Sequence, residues 1–396
     1  MKPEQKTAAP AIVIGGGINA LGVVRSLGAA GVPVWVLDDN SKSPAMRSRF
    51  ATPKVVSVLE GESFIKELNL LAAQISGAAV VFLTEEKTVL TVSAMRDQLA
   101  PTLKLRLPAH DCLLSLMHKE GFQLLAENLG FLVPPAVRLS GNQDLRKLTG
   151  LRFPCVFKPS EKNYAYGQRF KKAYKVESIE QVAALYEQIQ PVMPDMVVQQ
   201  WIEGLDSDIY FCLQYIGRDG EPVISFSGRK IRSWPPSVGG TASCTADLDF
   251  QDELSITTAA FFRAVNFCGM GSMEYKRDRR DGRFYMVEPT VGRTDFQEEV
   301  ATVNGYNMPF AAYCHELNIS VPSPSRTSPP RVWRDAQADR WSREEVDGVR
   351  DTPGFEAYPV VDALRRSTDL RPWVDSVIGR ARERLRLWTK PVRWLP

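Results

Sequence analysis

The sequence predicts a mixed α/β and α+β chain that opens with a doubly wound parallel sheet. Three observations predict it. At 396 residues the chain exceeds what one core usually organises, so two or three domains are expected. Residues 11–95 alternate short apolar runs with amphipathic ones, the pattern of strand–helix–strand crossovers. Residues 196–290 give successive strands with turn signals between them and no crossover helix in the first three.

In order, residues 11–15 predict a buried strand, then a glycine-rich turn and a helix over 19–30. A second strand, 33–37, ends in Asp38 and Asp39. The turn Gly15-x-Gly17-x-x-Ala20 matches the dinucleotide fingerprint, with an acid about 20 residues on, where a ribose would want it. An NAD(P)-dependent oxidoreductase is one function this allows. The plainer reading is a tight strand-to-helix turn that any doubly wound domain needs, with Asp38 ending its strand. A helix over 63–75, a strand at 79–83 and a helix over 85–95 continue the sheet.

From residue 111 the pattern changes. Residues 111–130 predict one helix with Lys119 in its middle, and Pro134-Pro135 breaks the chain into an extended segment. The apolar strand 153–157 delivers Lys158. A lysine there is costly unless it finds an anion or snorkels to water. Residues 196–202, MVVQQWI, predict a strand whose end (Gln200, Trp201, Ile202) could bond a flat ring such as adenine, with an acid shortly after for a ribose; an ordinary strand-turn-strand is the alternative. The strand 223–234 carries Arg229, Lys230 and Arg232, either a solvated face or a cage for an anionic substrate.

Residues 273–293, MEYKRDRRDGRFYMVEPTVGR, predict a hairpin. Asp281-Gly282 suits a type I′ turn, which would bring Glu274 and Glu288 side by side. Two converging carboxylates repel unless a proton or cation lies between them, and hard divalent metals carrying nucleotide phosphates suit such sites. Two solvated glutamates are the alternative.

Composition narrows the field. Hydrophobic content of 44% and charged content of 24% are those of a soluble globular protein, and a net charge of +3 gives no sign of a nucleic-acid partner. No stretch is apolar for the roughly 20 residues a bilayer span requires, and no secretory signal is read at the start. Six scattered cysteines without C-x-x-C predict reduced thiols and a cytoplasmic location. With three histidines, a histidine metal site or triad is not expected.

The ordered set Lys119, FKP at 157–159, QQWIEG at 199–204, Glu274 and Glu288 resembles the ATP-grasp superfamily, and within it the carboxylate–amine ligases. The resemblance implies a Rossmann-like pre-ATP-grasp domain (1–107), a two-lobed ATP-grasp domain (108–318, lid lobe about 120–195) and a C-terminal extension (319–396). It implies ATP and Mg2+ as cofactors, the metal one or two ions, with Mn2+ as a substitute. Lys119 and Lys158 would hold phosphates. Gln199, Gln200, Trp201 and Ile202 would line adenine, and Asp206 would take the ribose. Glu274, Glu288 and Thr290 would ligate metal. Arg293, with Lys230 and Arg232, would grip the transferred phosphoryl or acyl group. The implied reaction makes an acyl phosphate from a small-molecule carboxylate, which an amine converts to an amide. The chain departs from the family in three places: one glycine (Gly167) in the lid loop 160–172, Thr290 where an asparagine is usual, and Arg293 displaced by one residue. These departures leave room for a non-catalytic ATP-binding partner protein.

Residues 321–330, VPSPSRTSPP, predict a linker or extended wrap. The arginine-rich stretch 378–394 predicts an amphipathic helix. The preferred reading packs it on its own domain with basic residues outward; the other is peripheral contact with an anionic membrane or a docked partner. A homodimer is compatible with the sequence.

Overall fold

The computed structural model describes residues 9–160, 164–171, 173–237, 239–247, 249–293, 295, 298–345 and 355–388. The chain divides into two compact units. Met1–His110, Cys212–Ser272 and Thr290–Pro396 form the first, and Asp111–Phe211 with Met273–Pro289 the second.

The first unit opens with β1 (Ala11–Ile14), α1 (Ile18–Ala29), β2 (Val34–Asp38), β3 (Ala51–Val55), α2 (Gly61–Gln74), β4 (Ala79–Leu83), α3 (Glu86–Ala94) and β5 (Leu103–Lys104). Its strands run parallel in the order β3-β2-β1-β4-β5. β1 and β4 are buried along their whole length, as expected where crossover helices cover both faces. β3 was not expected from sequence: ATPKV is a largely exposed edge strand whose proline and lysine discourage further pairing.

Gly15 has φ +106°, and a Cβ there would lie 2.4 Å from Thr84 Oγ1; a Cβ on Gly16 would lie 1.6 Å from Asp38 Oδ2. Neighbouring side chains therefore account for Gly15 and Gly16, whereas a Cβ on Gly17 would meet nothing within 4 Å.

The second unit begins with α4 (His110–Met117) and α5 (Lys119–Asn128). The single helix expected over 111–130 is thus two helices. His118 takes an extended conformation between them, and its imidazole accepts the Gly121 amide as an N-cap. Lys119 consequently heads a helix rather than sitting inside one. Then follow β6 (Ala136–Leu139), β7 (Cys155–Pro159), α6 (Tyr164–Arg169), β8 (Tyr174–Val176), α7 (Ile179–Ile189) and β9 (Met196–Gln200). These strands form an antiparallel sheet in the order β6-β9-β7-β8. Alternation sends Cys155, Phe157, Met196 and Val198 into a core with Tyr186 and Ile189. Phe157 meets the Tyr186 ring edge-on at 6.2 Å.

The chain continues with β10 (Ile209–Ile216), β11 (Pro222–Trp234), β12 (Gly240–Ala246), α8 (Gln251–Ala264), β13 (Gly269–Arg277), β14 (Phe284–Val291), α9 (Glu298–Val303), α10 (Met308–Glu316), β15 (Val332–Arg334), α11 (Ala336–Glu345), β16 (Val360–Asp362) and α12 (Arg371–Trp388). Among the described residues a further sheet runs β14-β13-β10-β11-β12-β15-β16. The hairpin turn is longer than the predicted two-residue type I′. Asp278 N donates to Arg283 O at 2.9 Å, and positive φ falls on Gly282 but not on Asp281.

The compact units cut across the linear three-part division expected from sequence, because the segment after 318 adds strands and ion pairs to the first unit. Residues 321–330 are a wrap: Ser325 N donates to Gly305 O at 3.0 Å and Thr327 N to Asn304 O at 3.2 Å. β15 pairs with β12, and β16 with β15. Trp333, fully buried, donates its indole N–H to Glu299 at 2.8 Å. Arg25 of α1 binds Asp369 at 2.9 Å and the carbonyl oxygens of Ala363 and Leu364. Glu299 also faces Arg366 at 2.6 Å. Beside it Glu298 accepts from Ser26 and Thr302; burial and the Glu299 charge push its pKa up to about 8.

Candidate nucleotide and metal site

The small antiparallel sheet presents the first group of expected residues. In the register of β7 and β9, Val156 faces Gln199 and Lys158 faces Val197. A period of two therefore places Lys158 and Gln199 on the same face, opposite the core. They touch: Lys158 Nζ donates to Gln199 Oε1 at 2.8 Å. Gln199 Nε2 in turn donates to Gln123 Oε1 at 3.1 Å, and Gln123 Nε2 to Glu127 Oε1 at 2.7 Å. Gln123 was not singled out from sequence; its place one turn after Lys119 on α5 is the signal that could have found it. Lys119 is exposed at the start of that helix. A cation there is disfavoured by the helix dipole, and an anion bound at the same helix end would reverse the balance.

The segment after β9 is tied to the hairpin within the same unit. Lys276 Nζ donates to Gly204 O at 3.0 Å and Leu205 O at 2.5 Å, and Arg280 to Trp201 O at 3.2 Å. Lys175 lies over the Trp201 ring at 5.2 Å. Two amides offered to adenine are already engaged, since Gln200 N donates to Pro135 O and Trp201 N to Pro154 O. The adenine expectation thus narrows to the remaining groups of this segment, Ile202 among them. Of the two nearby acids, Asp208 is structural: it accepts from Leu205 N at 2.7 Å and pairs with Arg279 at 2.6 Å. Asp206, the expected ribose acid, is half-buried.

Glu274 on β13 is half-buried and Glu288 on β14 exposed, on adjacent strands. Gly292 N donates to Met270 O at 2.9 Å, a register that would set Glu274 opposite Glu288, whereas the bond of Asp278 N to Arg283 O would set it opposite Val287. The bond closing the turn fits a register one residue different, so the ladder holds an irregularity between its ends. Among the described residues no group of three or more His, Cys, Asp or Glu side chains could hold a metal by itself. The carboxylates of Glu274 and Glu288 are hard oxygen donors, the kind that magnesium takes together with phosphates and water.

In the first unit, Lys230 is buried and pairs across the sheet with Cys244. Arg232 is engaged with Asp339 of α11 at 3.0 Å, and Arg229 lies over Phe355 at 5.2 Å. A register shift between Lys230 and Arg232 helps separate them, so these cations occupy distinct surroundings rather than one face. Asp295 was missed from sequence: Thr290 Oγ1 donates to it at 3.4 Å and Arg293 faces it at 3.7 Å. Burial pushes the Cys244 thiol up, against Lys230, which opposes the shift, and with a smaller contribution from Asp295. The lid loop expected after Lys158 falls partly on residues 161–163 and 172, outside the described residues.

Comparison with known proteins finds no matching family model. D-aspartate ligase of Enterococcus faecium (strain Aus0004) is 25% identical over 176 residues, 42% of this chain and 41% of that protein. The match therefore spans about two fifths of the relative's length. Among solved structures, N5-carboxyaminoimidazole synthetase from Staphylococcus aureus complexed with ADP has a TM-score of 0.62 at 15% identity, over 83% of this chain and 82% of that one. The biotin carboxylase domain dimer of Hydrogenobacter thermophilus 2-oxoglutarate carboxylase, in complex with MgADP, ADP and bicarbonate, has a TM-score of 0.60 at 11% identity, over 81% and 73%. These proteins lend no support to a nicotinamide enzyme. The chain therefore shares the fold of these two nucleotide-complexed structures over about four fifths of its length.

Proposed function

We propose that the protein is an ATP- and magnesium-dependent ligase that activates a carboxylate as its acyl phosphate and joins it to an amine. The observation that carries this is the polar chain Lys158–Gln199–Gln123 on the open face of the small sheet, in one compact unit with Glu274 and Glu288. The lysine offers a charge to phosphate and the glutamine a two-sided hydrogen-bonding edge to a base. Lys119 adds a second cation, and Gln200, Trp201, Ile202 and Asp206 supply the adenine and ribose surroundings.

Glu274, Glu288 and Thr290 would hold magnesium, or manganese in its place, as one or two ions. The metal would neutralise phosphate charge so that two anionic substrates can approach. Arg293 would orient the transferred phosphoryl group and the acyl oxygen, and Lys230 and Arg232 would join it only if they leave their separate surroundings. Nothing in this scheme requires a side-chain nucleophile, because positioning and electrostatics supply the rate. The relative's activity suggests D-aspartate as the first substrate to try. A homodimer in a cytoplasmic setting is part of the same reading.

The test is magnesium-dependent ADP release with a panel of carboxylates and amines that includes D-aspartate. Substrate-stimulated release with amide formed in equal amount is the expected result. ATP binding without turnover on any pair would favour the non-catalytic reading that Thr290 and the displaced Arg293 suggest, and no ATP binding would end both.

A further inference from the structure

One acid of the C-terminal extension holds a cation of the proposed reaction. β11 and β12 keep a single register on either side of Arg232, with Lys230 opposite Cys244 and Ser233 opposite Thr241. Carried through, that register would set Arg232 opposite Ala242, on the face that Lys230 and Cys244 share. Arg232 instead stands opposite Ser243, and alternation turns the Ser243 side chain to the other face. There both meet Asp339 of α11. Arg232 Nη1 donates to Asp339 Oδ1 at 3.0 Å, and Ser243 Oγ donates to the same oxygen at 2.7 Å. The other carboxylate oxygen faces Arg343, one turn along the helix, at 3.1 Å.

What seats α11 is charge. The helix buries Asp339 and Ser342 and no apolar side chain, so it lacks the apolar stripe that ordinarily fixes a surface helix. At its head Asp335 N donates to Ala242 O at 2.9 Å, and Trp341, 37% exposed, meets the Trp234 ring at 5.6 Å. In the arginine-rich stretch 378–394, by contrast, the side chains of 380 and 383–394 lie outside the described residues. A helix held through one carboxylate is open to competition from another anion. An acyl or phosphoryl oxygen can pair with Arg232 as Asp339 does. We propose that α11 is an autoinhibitory latch, in which Asp339 occupies Arg232 as a stand-in anion until the anionic substrate takes its place. Released, Arg232 joins Lys230 and Arg293. The latch rests on the ligase reading above and adds a control to it.

Steady-state ADP release by the full chain, with the carboxylate varied at saturating MgATP and amine, tests this. Asp339→Asn keeps an acceptor for Ser243 and removes the competing charge. If Arg232 is free in one parent molecule in about ten, this variant should lower the carboxylate KM about tenfold and leave the ATP KM unchanged. Arg343→Gln removes the cation that shares Asp339 with Arg232, tightens the latch and should raise the carboxylate KM about twofold or more. A structural ion pair gives no such opposite signs, since losing it lowers thermal stability and activity together. Trp341→Ala, at an exposed position, is the second release variant should Asp339→Asn fail to fold, and should also lower the carboxylate KM. A parent that turns over while the folded release variants leave that KM unchanged or raised overturns the latch and leaves the ligase reading standing. A lower KM in Arg343→Gln does the same. Absence of turnover in the parent and in every variant overturns both.

Discussion

Thr290 Oγ1 donates to Asp295 Oδ2 at 3.4 Å, and the other oxygen of that carboxylate faces Arg293 at 3.7 Å. One acid thus meets both Thr290 and Arg293. Asp295→Ala should release both, lowering turnover roughly tenfold or more and raising the magnesium needed for half-maximal rate. Asp295→Asn keeps an acceptor for Thr290 but drops the charge facing Arg293. It should preserve the magnesium requirement while still losing rate. A magnesium titration of ADP release checks both.

Glu288 is exposed, so Glu288→Gln should leave thermal unfolding within about 0.5 kcal/mol of the parent. Turnover should fall on the order of a hundredfold or more, because a metal-ligating charge is gone. Undiminished ADP release in this variant would remove the metal assignment.

Lys158 and Gln199 are bonded to each other, so their substitutions should not add. Lys158→Met should weaken ATP binding by about 1.5–3 kcal/mol, the worth of a hydrogen bond to a charged group. Gln199→Ala should cost less, and the double variant less than the two losses combined. Calorimetric titration with ATP reads all three.

Glu298 gives a pH dependence whose sign is fixed. Its pKa is raised by burial and by Glu299, from 4.5 to about 8, so the folded state keeps a proton that the unfolded chain gives up. The stabilisation is fully present below about pH 4.5 and is lost as pH rises through about 8. Glu298→Gln retains an acceptor for Ser26 and Thr302 and should flatten this alkaline loss. Unfolding midpoints between about pH 5 and pH 9 should converge for parent and variant at the acidic end and separate, variant higher, at the alkaline end.

Arg25→Ala would leave Asp369 buried without its guanidinium partner, while Glu299 keeps Arg366. Breaking a buried pair from one side costs about 3–5 kcal/mol. Denaturant unfolding of the variant should show that loss in its midpoint.

Local periodicity carried the sequence reading where one face is buried. β4 lies at the bounds expected, 79–83, since a wholly apolar run flanked by turns leaves no choice of register. Lys158 and Gln199 were legible because polar residues interrupt such runs. What was not legible depends on tertiary approach. His118 breaks a helix whose apolar spacing runs straight through it. Asp281-Gly282 suits a tight turn, but Asp278 and Arg283 close a longer one. The engagement of Gln200 and Trp201 amides by prolyl carbonyls, the pairing of β15 with β12, and the joining of Asp369 to Arg25 of α1 bring together positions far apart in the chain.

That joining sets a timetable. Arg25 and Asp369 are 344 positions apart, so the helix that starts the first domain is made long before the acid that neutralises it. At about 5–20 residues per second the wait is roughly 17 to 70 seconds. During that interval Glu298 and Glu299 have also not yet emerged for much of the time, and Trp333 arrives after them. A nascent chain therefore presents an unfinished α1 surface until Asp369 has been made, and α1, among the first elements synthesised, is among the last to gain its partners.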